Sequence, residues 1–351
     1  MTALWIALLA LAGAALLALA HHAFWTRRLA APASGDAGVS ALTRDGWRLA
    51  LGRRLRRGPA RRPPVLLCHG LCANRWMLDP GVEGRSLSAF LAESGFDCFT
   101  LDLRGHGGSR RGPPGAGPWN FDTYLAEDVP AALEAVREAA GDDRVLWVGH
   151  SLGALLGMAA CQVHAGRVAG LVAIAGPVHF PAFSGAMRLL VPGRGRLNRI
   201  LAEMAAPFAG MLRLPAAEGI VVRDNVERPV YRRLLANAIE DLSPGLFEQI
   251  RDWVRHDAFR STGGEVDYRA GLADCRQPAL FVSGPLDRLA PPRVVRAGYD
   301  RWGGEKAWFG ASRESGLSAD YAHTDLLLGR QAPREVFPPL RDWLAAHSRE
   351  R

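Results

Sequence analysis

The stretch Val145-Leu146-Trp147-Val148-Gly149-His150-Ser151-Leu152-Gly153 decides the predicted fold, because a short apolar run leads directly into a Gly-x-Ser-x-Gly pentapeptide. The apolar run is too short for a buried helix and predicts a buried strand. Residues 152–164 carry helical spacing, so the pentapeptide forms a strand-to-helix turn. Such a turn presents its serine in a strained conformation, and the flanking glycines avoid clashes with neighbouring backbone. Ser151 is therefore the predicted nucleophile.

Strand-like and helix-like segments alternate on both sides of this turn. The predicted buried strands are 65–68, 97–101, 145–148, 171–175 and 279–283, and residues 47–55 form a predicted edge strand. The predicted helices among them are 86–94, 121–139 and 152–164. This alternation predicts an α/β fold with a mostly parallel central sheet that is flanked by helices.

The alternation stops after Gly176. Helical patches follow at 183–191, 198–212, 229–239 and 246–256. An insertion of this length predicts a helical cap over the carboxyl edge of the sheet, where α/β sheets bind ligands. Its Met, Phe and Leu content fits either a small core of its own or a lipid-binding lining. The predicted organisation is an N-terminal anchor with a basic flank (1–28), a core in two parts (29–177 and 266–351) and a cap or lid insertion (178–265).

The N-terminal segment predicts a membrane anchor. Residues 3–20 contain only Ala, Leu, Ile, Trp and Gly, and as a helix they span about 27 Å, close to the thickness of bilayer hydrocarbon. Phe24 and Trp25, followed by two arginines, are typical of a membrane interface. A cleaved signal peptide is the alternative, since Ala18-Leu19-Ala20 resembles a cleavage site, but no positive charge precedes the apolar run. Because positive charge lies only on the C-terminal flank, we expect a single-pass anchor with the catalytic domain in the cytoplasm.

The composition of the 351-residue chain narrows the expected partners. Residues 27–62 hold ten arginines and two aspartates, which accounts for the whole net charge of +8. No basic face recurs elsewhere, so a membrane surface is expected and nucleic-acid binding is not. The five cysteines are odd in number and lie mostly in apolar runs, which predicts reduced core thiols. Cys68 and Cys72 lack a second Cys/His pair, so no metal site is expected, and the oligomeric state is left open.

A serine hydroxyl is a weak nucleophile, so Ser151 needs a base and an orienting carboxylate. In this structural context the expected chain order is Ser, acid, His. Asp287 follows the predicted strand at 279–283 and is the predicted acid. His323, in a loop before the last helix, is the predicted base. Asp320 and Asp325 are alternative acids, although their closeness to His323 in sequence favours a role in shaping its loop.

The oxyanion of an acyl-transfer intermediate requires fixed N–H donors. Leu152, the residue after the nucleophile, is one predicted donor. The other is Leu71, in the loop after the strand at 65–68, with Cys72 as the second choice. His69 in the same loop is expected to be a packed, hydrogen-bonded histidine and not an acid or base.

Taken together, these motifs resemble the α/β-hydrolase superfamily, and its lipase and esterase branch in particular. The resemblance rests on His69-Gly70-Leu71, residues 102–109 (Asp-Leu-Arg-Gly-His-Gly-Gly-Ser), the pentapeptide, Leu286-Asp287 and residues 321–329 around His323, and it covers roughly residues 40–180 and 270–350. It implies structural and not catalytic roles for Asp102 and Arg104. Ser151 stands where polyhydroxyalkanoate synthases carry Cys and haloalkane dehalogenases carry Asp, so neither of those activities is expected.

The expected function is therefore that of a membrane-anchored serine hydrolase. It would cleave carboxylic esters, with apolar or lipid-like acyl groups, through an acyl-enzyme intermediate and without a metal or organic cofactor. An acyltransferase that uses the same three residues is the first alternative. A non-enzymatic binding protein on a hydrolase scaffold is the second.

Overall fold

An eight-stranded sheet lies at the centre of the chain in a computed structural model that describes residues 2–31, 35–58, 62–111, 118–180, 197–211 and 219–348. The strands are β1 (Ala37–Leu42), β2 (Arg48–Arg54), β3 (Val65–Cys68), β4 (Cys98–Asp102), β5 (Val145–His150), β6 (Val168–Ile174), β7 (Ala279–Ser283) and β8 (Lys306–Gly310). Their order across the sheet is β1-β2-β4-β3-β5-β6-β7-β8. The pairs β1/β2 and β2/β4 are antiparallel and the other five are parallel, so the sheet is mostly parallel, as predicted.

The order of the central strands positions the loops that carry the predicted site. β3 lies between β4 and β5, with Cys68 aligned to Gly149. β6 follows β5 on its other side, with Ile174 aligned to His150. The carboxyl ends of these parallel strands therefore meet at one edge of the sheet, at the point where the strand order reverses. This is the position at which open α/β sheets bind ligands.

Every residue of β3, β4, β5 and β7 is buried, which requires cover on both faces of the sheet because successive side chains point to opposite faces. The helices are α1 (Thr2–Leu29), α2 (Leu87–Glu93), α3 (Phe121–Thr123 and Val129–Ala140, joined by a π-helical turn at Tyr124–Asp128), α4 (Leu152–Val163), α5 (Asn198–Ala205), α6 (Arg228–Asn237), α7 (Pro244–His256), α8 (Pro292–Arg301), α9 (Asp325–Leu328), α10 (Ala332–Glu335) and α11 (Phe337–Ala346). Short 3₁₀ turns occur at Arg75–Met77, Ala165–Arg167, Ala206–Phe208, Arg223–Asn225 and Ala270–Asp274.

Two strands of the observed sheet are absent from the sequence prediction. The predicted edge strand at 47–55 corresponds to β2. It is the second strand of the sheet and not its edge, because β1 pairs with it along its length. β1 is mostly exposed and β8 is only half-buried, so neither has the buried apolar run that identified the central strands. The predicted cap helix at 198–212 ends at Ala205, where Pro207 shifts the chain into a 3₁₀ turn, and the one predicted at 183–191 lies outside the described residues.

Arginines of the basic segment form ion pairs within the fold. Arg53 on β2 lies 2.5 Å from Asp97, and the adjacent Arg54 lies 2.9 Å from Asp79. Both carboxylates are buried and need a paired cation to offset the loss of solvation. Part of the local positive charge therefore stabilises the fold and does not face a membrane.

The N-terminal helix α1 contacts, with its last turns, α5 and the turn after it, which lie in the predicted cap (residues 178–265, called the cap below). His22 lies 3.3 Å from Glu203 of α5, and the ring of His21 lies 5.8 Å from that of Phe208. By contrast, most side chains from residue 3 to residue 20 are exposed. By length and composition α1 is able to cross a membrane, and the same features also fit a signal sequence.

Candidate active site

The turn between β5 and α4 holds Ser151 in a strained conformation. Its φ of 53° and ψ of −116° are unusual for a residue with a side chain. A Cβ atom on Gly149 would lie 2.2 Å from the carbonyl oxygen of Gly153, and one on Gly153 would lie 2.3 Å from that of Cys68. Both positions therefore require glycine. The Ser151 N–H donates to the carbonyl of Ile174 at 2.8 Å, which ties the turn to β6.

Asp287 and His323 form a buried pair at the same edge of the sheet. Nδ1 of His323 lies 2.7 Å from Oδ2 of Asp287, and the two residues are 5% and 2% exposed. The other carboxylate oxygen accepts from the N–H groups of Leu289 and Ala290 at 2.8 and 2.7 Å. With one oxygen held by the backbone, the other is aimed at the imidazole. This favours the tautomer with a proton on Nδ1 and a free lone pair on Nε2.

His150 brings the His323 segment to the nucleophile turn. Its Nε2 lies 3.0 Å from the backbone carbonyl of His323, and the two imidazole rings are 4.6 Å apart. Burial lowers the pKa of His150 to about 3, so this ring is neutral at neutral pH and donates to the carbonyl. Because His150 precedes Ser151 in the chain, this contact ties the His323 segment to the turn that holds Ser151.

The loop after β3 runs against the same turn. A Cβ atom on Gly70 would lie 3.0 Å from Cβ of Ser151, so the two segments are in van der Waals contact. Leu71 follows in this loop, and Leu152 begins α4, where backbone N–H groups lack intrahelical acceptors. The next loop residue, Cys72, has a φ of 52°. The predicted donors Leu71 and Leu152 thus belong to two segments that both adjoin Ser151.

Both ring nitrogens of His69 have hydrogen-bond partners within the protein. Its Nδ1 lies 2.9 Å from the carbonyl of Gly70, and its Nε2 accepts from the N–H of Leu103 at 3.2 Å. Burial lowers its pKa to about 3. These contacts fit the expected structural role.

Asp102 and Arg104 make contacts that fit the structural roles implied by the resemblance. Asp102 accepts from the backbone N–H groups of Arg75 and Gly108, and burial raises its pKa to about 6. The guanidinium of Arg104 is 1% exposed and bonds to Asp45 and to the fully buried Asp128. Asp128, in the π-helical turn, carries no sequence signal of this pairing.

The two alternative acids bind backbone groups of other residues. Asp325 is buried and accepts from the backbone N–H of Ala322 and from the side chain of Asn225. Burial raises its pKa. Asp320 accepts from the backbone N–H of Arg313 at 2.9 Å. Both carboxylates therefore shape the loop around His323.

Polar residues of the cap that the sequence analysis did not identify contact the loop after β3. Glu240 donates its backbone N–H to the carbonyl of Cys72 at 2.9 Å, and Asn198 donates its side-chain amide to the Cys72 sulfur at 3.3 Å. Glu240 also accepts from the side chain of Asn74 at 2.8 Å.

Within the described residues, no group of three or more His, Cys, Asp or Glu side chains is placed to hold a metal ion.

Comparison with known proteins gives one family match and a set of curated relatives. A family model for the alpha/beta hydrolase fold matches residues 63–213. Gastric triacylglycerol lipase of Mus musculus is 28% identical over 130 residues, which is 34% of this chain and 33% of the lipase. Lysosomal acid lipase/cholesteryl ester hydrolase of Homo sapiens is 30% identical over 129 residues, 34% and 32% of the two chains. The match therefore spans about a third of the length of these curated relatives, and the family match ends before Asp287.

Solved structures match over most of the chain. A membrane phospholipase A, described as a bacterial virulence factor, superposes with a TM-score of 0.59 at 17% identity, covering 97% of this chain and 96% of its own. At this level of identity the likeness concerns the fold alone. Together with the observed sheet order and the family match, it shows that the chain has the α/β-hydrolase fold.

Proposed function

We propose that this protein of α/β-hydrolase fold is a membrane-anchored serine hydrolase that cleaves carboxylic esters with apolar or lipid-like acyl groups. One observation carries the proposal. The buried Asp287–His323 pair is held against the strained Ser151 turn through the contact between His150 and the carbonyl of His323. A nucleophile, a base with a free lone pair and an orienting carboxylate are the components that acyl transfer to serine requires.

The proposed reaction proceeds in two stages. In the first, Nε2 of His323 accepts the hydroxyl proton as Oγ of Ser151 attacks the acyl carbon, and the N–H groups of Leu71 and Leu152 bind the resulting oxyanion. The ester bond breaks, and His323 returns the proton to the leaving alkoxide. In the second stage water attacks the acyl-enzyme with the same assistance and releases a carboxylic acid. Asp287 orients His323 and stabilises its imidazolium throughout.

The preference for lipid-like substrates is supported by exposed apolar residues on the cap. Helix α5 and the turn that follows it expose a stripe at spacings of mostly three or four residues, which we call the apolar stripe: Leu197, Ile200, Leu201, Met204, Phe208 and Met211. Each of these side chains is between 46% and 57% exposed. Large exposed apolar patches are typical of protein or membrane contacts. Phe208 also contacts the last turns of α1, so the apolar stripe lies next to the proposed membrane anchor.

The proposed topology places the catalytic domain in the cytoplasm. Arg27 and Arg28 are exposed at the end of α1, where positive charge favours the cytoplasmic side. All five cysteines are free thiols, which suits a reducing compartment. The named activities of the relatives on triacylglycerols and cholesteryl esters agree with a lipid substrate.

Ser151→Ala tests the proposed reaction. The variant removes the nucleophilic oxygen and leaves the turn intact, so we expect both p-nitrophenyl ester hydrolysis and covalent labelling by a fluorophosphonate probe to be lost. Ser318→Ala, which alters an exposed serine in a loop of the core, is the matched control and should retain both. Turnover and labelling that survive in Ser151→Ala would reject the assignment.

A further inference from the structure

Hydrogen bonds connect the end of α1, through the end of α6, to the loop that follows β3. We propose that Asn237, Asn74 and Glu240 are positioning residues, which couple the docking of α1 on the cap to the geometry of the oxyanion loop, residues 69–74. The inference rests on the proposed function, because it assumes that this loop supplies an oxyanion donor. It adds that α1 affects the rate of catalysis in addition to anchoring the protein in a membrane.

The first link joins α1 to α6. Asn237, the last residue of α6, accepts from the backbone N–H of Ala31 at 2.8 Å through its side-chain oxygen. Its side-chain amide donates to the backbone carbonyl of Leu29 at 2.9 Å and to that of Arg233 at 2.8 Å. Leu29 ends α1 and is buried. One asparagine side chain therefore holds the chain on both sides of the point where it leaves α1.

The second link joins α6 to the oxyanion loop. The side-chain amide of Asn74 donates to the backbone carbonyl of Asn237 at 2.7 Å and to Oε1 of Glu240 at 2.8 Å. The same Oε1 accepts from the N–H of Gly107 at 2.9 Å. Asn74 and Glu240 are 6% and 7% exposed, so their polar atoms rely on these partners and not on water.

The connection ends at a backbone conformation that needs support. Cys72 has a φ of 52°, which is strained for a residue with a side chain and persists only when its surroundings hold it. Glu240 donates its backbone N–H to the Cys72 carbonyl at 2.9 Å, and Asn198 of α5 donates to the Cys72 sulfur at 3.3 Å. Both contacts come from the cap. The torsions of Cys72 orient the two peptide planes beside it, which carry the N–H groups of Cys72 and Ala73, and they set the path of the chain that follows Leu71.

Enzyme kinetics on the full chain test the effect on turnover. Glu240→Ala removes the acceptor shared by Asn74 and Gly107, and we expect kcat for p-nitrophenyl butyrate to fall by about tenfold to a hundredfold, as for a misplaced catalytic group, with little change in KM. Binding of an alkyl boronic acid, which places an oxygen in the oxyanion site, should weaken by a similar factor. Glu240→Gln keeps a carbonyl oxygen for both donors and should restore most of kcat. Asp224→Ala, which removes an exposed carboxylate from the same predicted insertion, is the matched control.

Amide hydrogen exchange tests the coupling without relying on activity. Asn237→Ala removes the side-chain bonds to α1, so exchange should accelerate at Ala31 and also in residues 70–74, while β7 keeps its protection. The same variant should lower kcat by about fivefold, the equivalent of one hydrogen bond. If the Asn237→Ala protein does not fold, the experiment is done with Asn237→Asp, which keeps the acceptor for Ala31.

The outcomes separate the two proposals. If Glu240→Ala folds and keeps its kcat, or if Asn237→Ala leaves exchange in residues 70–74 unchanged, the positioning role is rejected. If the wild-type protein hydrolyses no ester and binds no fluorophosphonate, the proposed function fails instead. In that case the exchange comparison still decides whether the docking of α1 is coupled to the loop.

Discussion

The edge of the sheet that holds the candidate active site and the predicted cap differ in how their side chains are held. At the sheet edge, Ser151, Asp287 and His323 are at most 8% exposed, and hydrogen bonds to neighbouring backbone fix their segments. In the cap, α5 turns the apolar stripe outward and is linked to the core through a few polar contacts such as that of Asn198. The sheet edge thus holds its side chains as rigidly as the proposed catalysis requires, whereas the apolar stripe has the exposure that is typical of a protein or membrane contact.

The largest expected effect lies at the sheet edge, in Asp287→Asn. The amide would still accept from Leu289 and Ala290, but the group that faces His323 would be an NH₂ donor, which selects the wrong imidazole tautomer. We expect kcat for a soluble ester to fall by about 10³- to 10⁴-fold. Steady-state kinetics with p-nitrophenyl butyrate give the measurement.

Asp320→Asn is the control, because its carboxylate binds the backbone of Arg313 and not the imidazole. If Asp320→Asn lost as much kcat as Asp287→Asn, the acid would have been assigned to the wrong residue. A decrease confined to Asp287→Asn would strengthen the contrast between the fixed sheet edge and the cap.

The second prediction concerns the stability of the core. Arg104→Met leaves the carboxylate of Asp128 buried without its cation, and removing one partner of a buried ion pair costs about 3–5 kcal/mol in the free energy of unfolding. Urea denaturation followed by tryptophan fluorescence measures the change. Arg44→Met, which breaks a pair whose arginine is 78% exposed, should lower the free energy of unfolding far less, because solvent screens an exposed pair. Equal losses in the two variants would contradict the structural role of Arg104.

Prediction of the local backbone agreed with the structure where one segment holds the whole motif. The strand-to-helix turn at Ser151 was predictable because its glycines and the strand before it form a single motif, and the structure places that motif after β5. The role of Ser151 as nucleophile stays a prediction. The contacts of Glu240 and Asn237 could not be predicted from the sequence. Each residue binds a partner more than 160 positions away, and a lone Asn or Glu near a helix end has no distinguishing pattern. Contacts over such separations are set by how the cap settles on the sheet, which hydrophobic periodicity does not describe.

Substitutions in the apolar stripe are expected to have the smallest effect on the hydrolysis of soluble substrates. Their effect should depend strongly on whether the ester is soluble or lies in a membrane. Met204→Asp places a charge on an exposed position that is not part of the proposed chemistry, so hydrolysis of p-nitrophenyl butyrate in detergent should stay within about twofold of the wild type. Hydrolysis of a long-chain ester presented in phosphatidylcholine vesicles should fall by about tenfold, because a charge opposes insertion into the membrane interface. Val163→Asp, an equally exposed apolar position at the end of α4, is the control and should lower neither rate. A parallel loss on both substrates would mean that Met204 supports the folded cap, whereas a loss on vesicles alone would mean that the cap contacts the lipid surface.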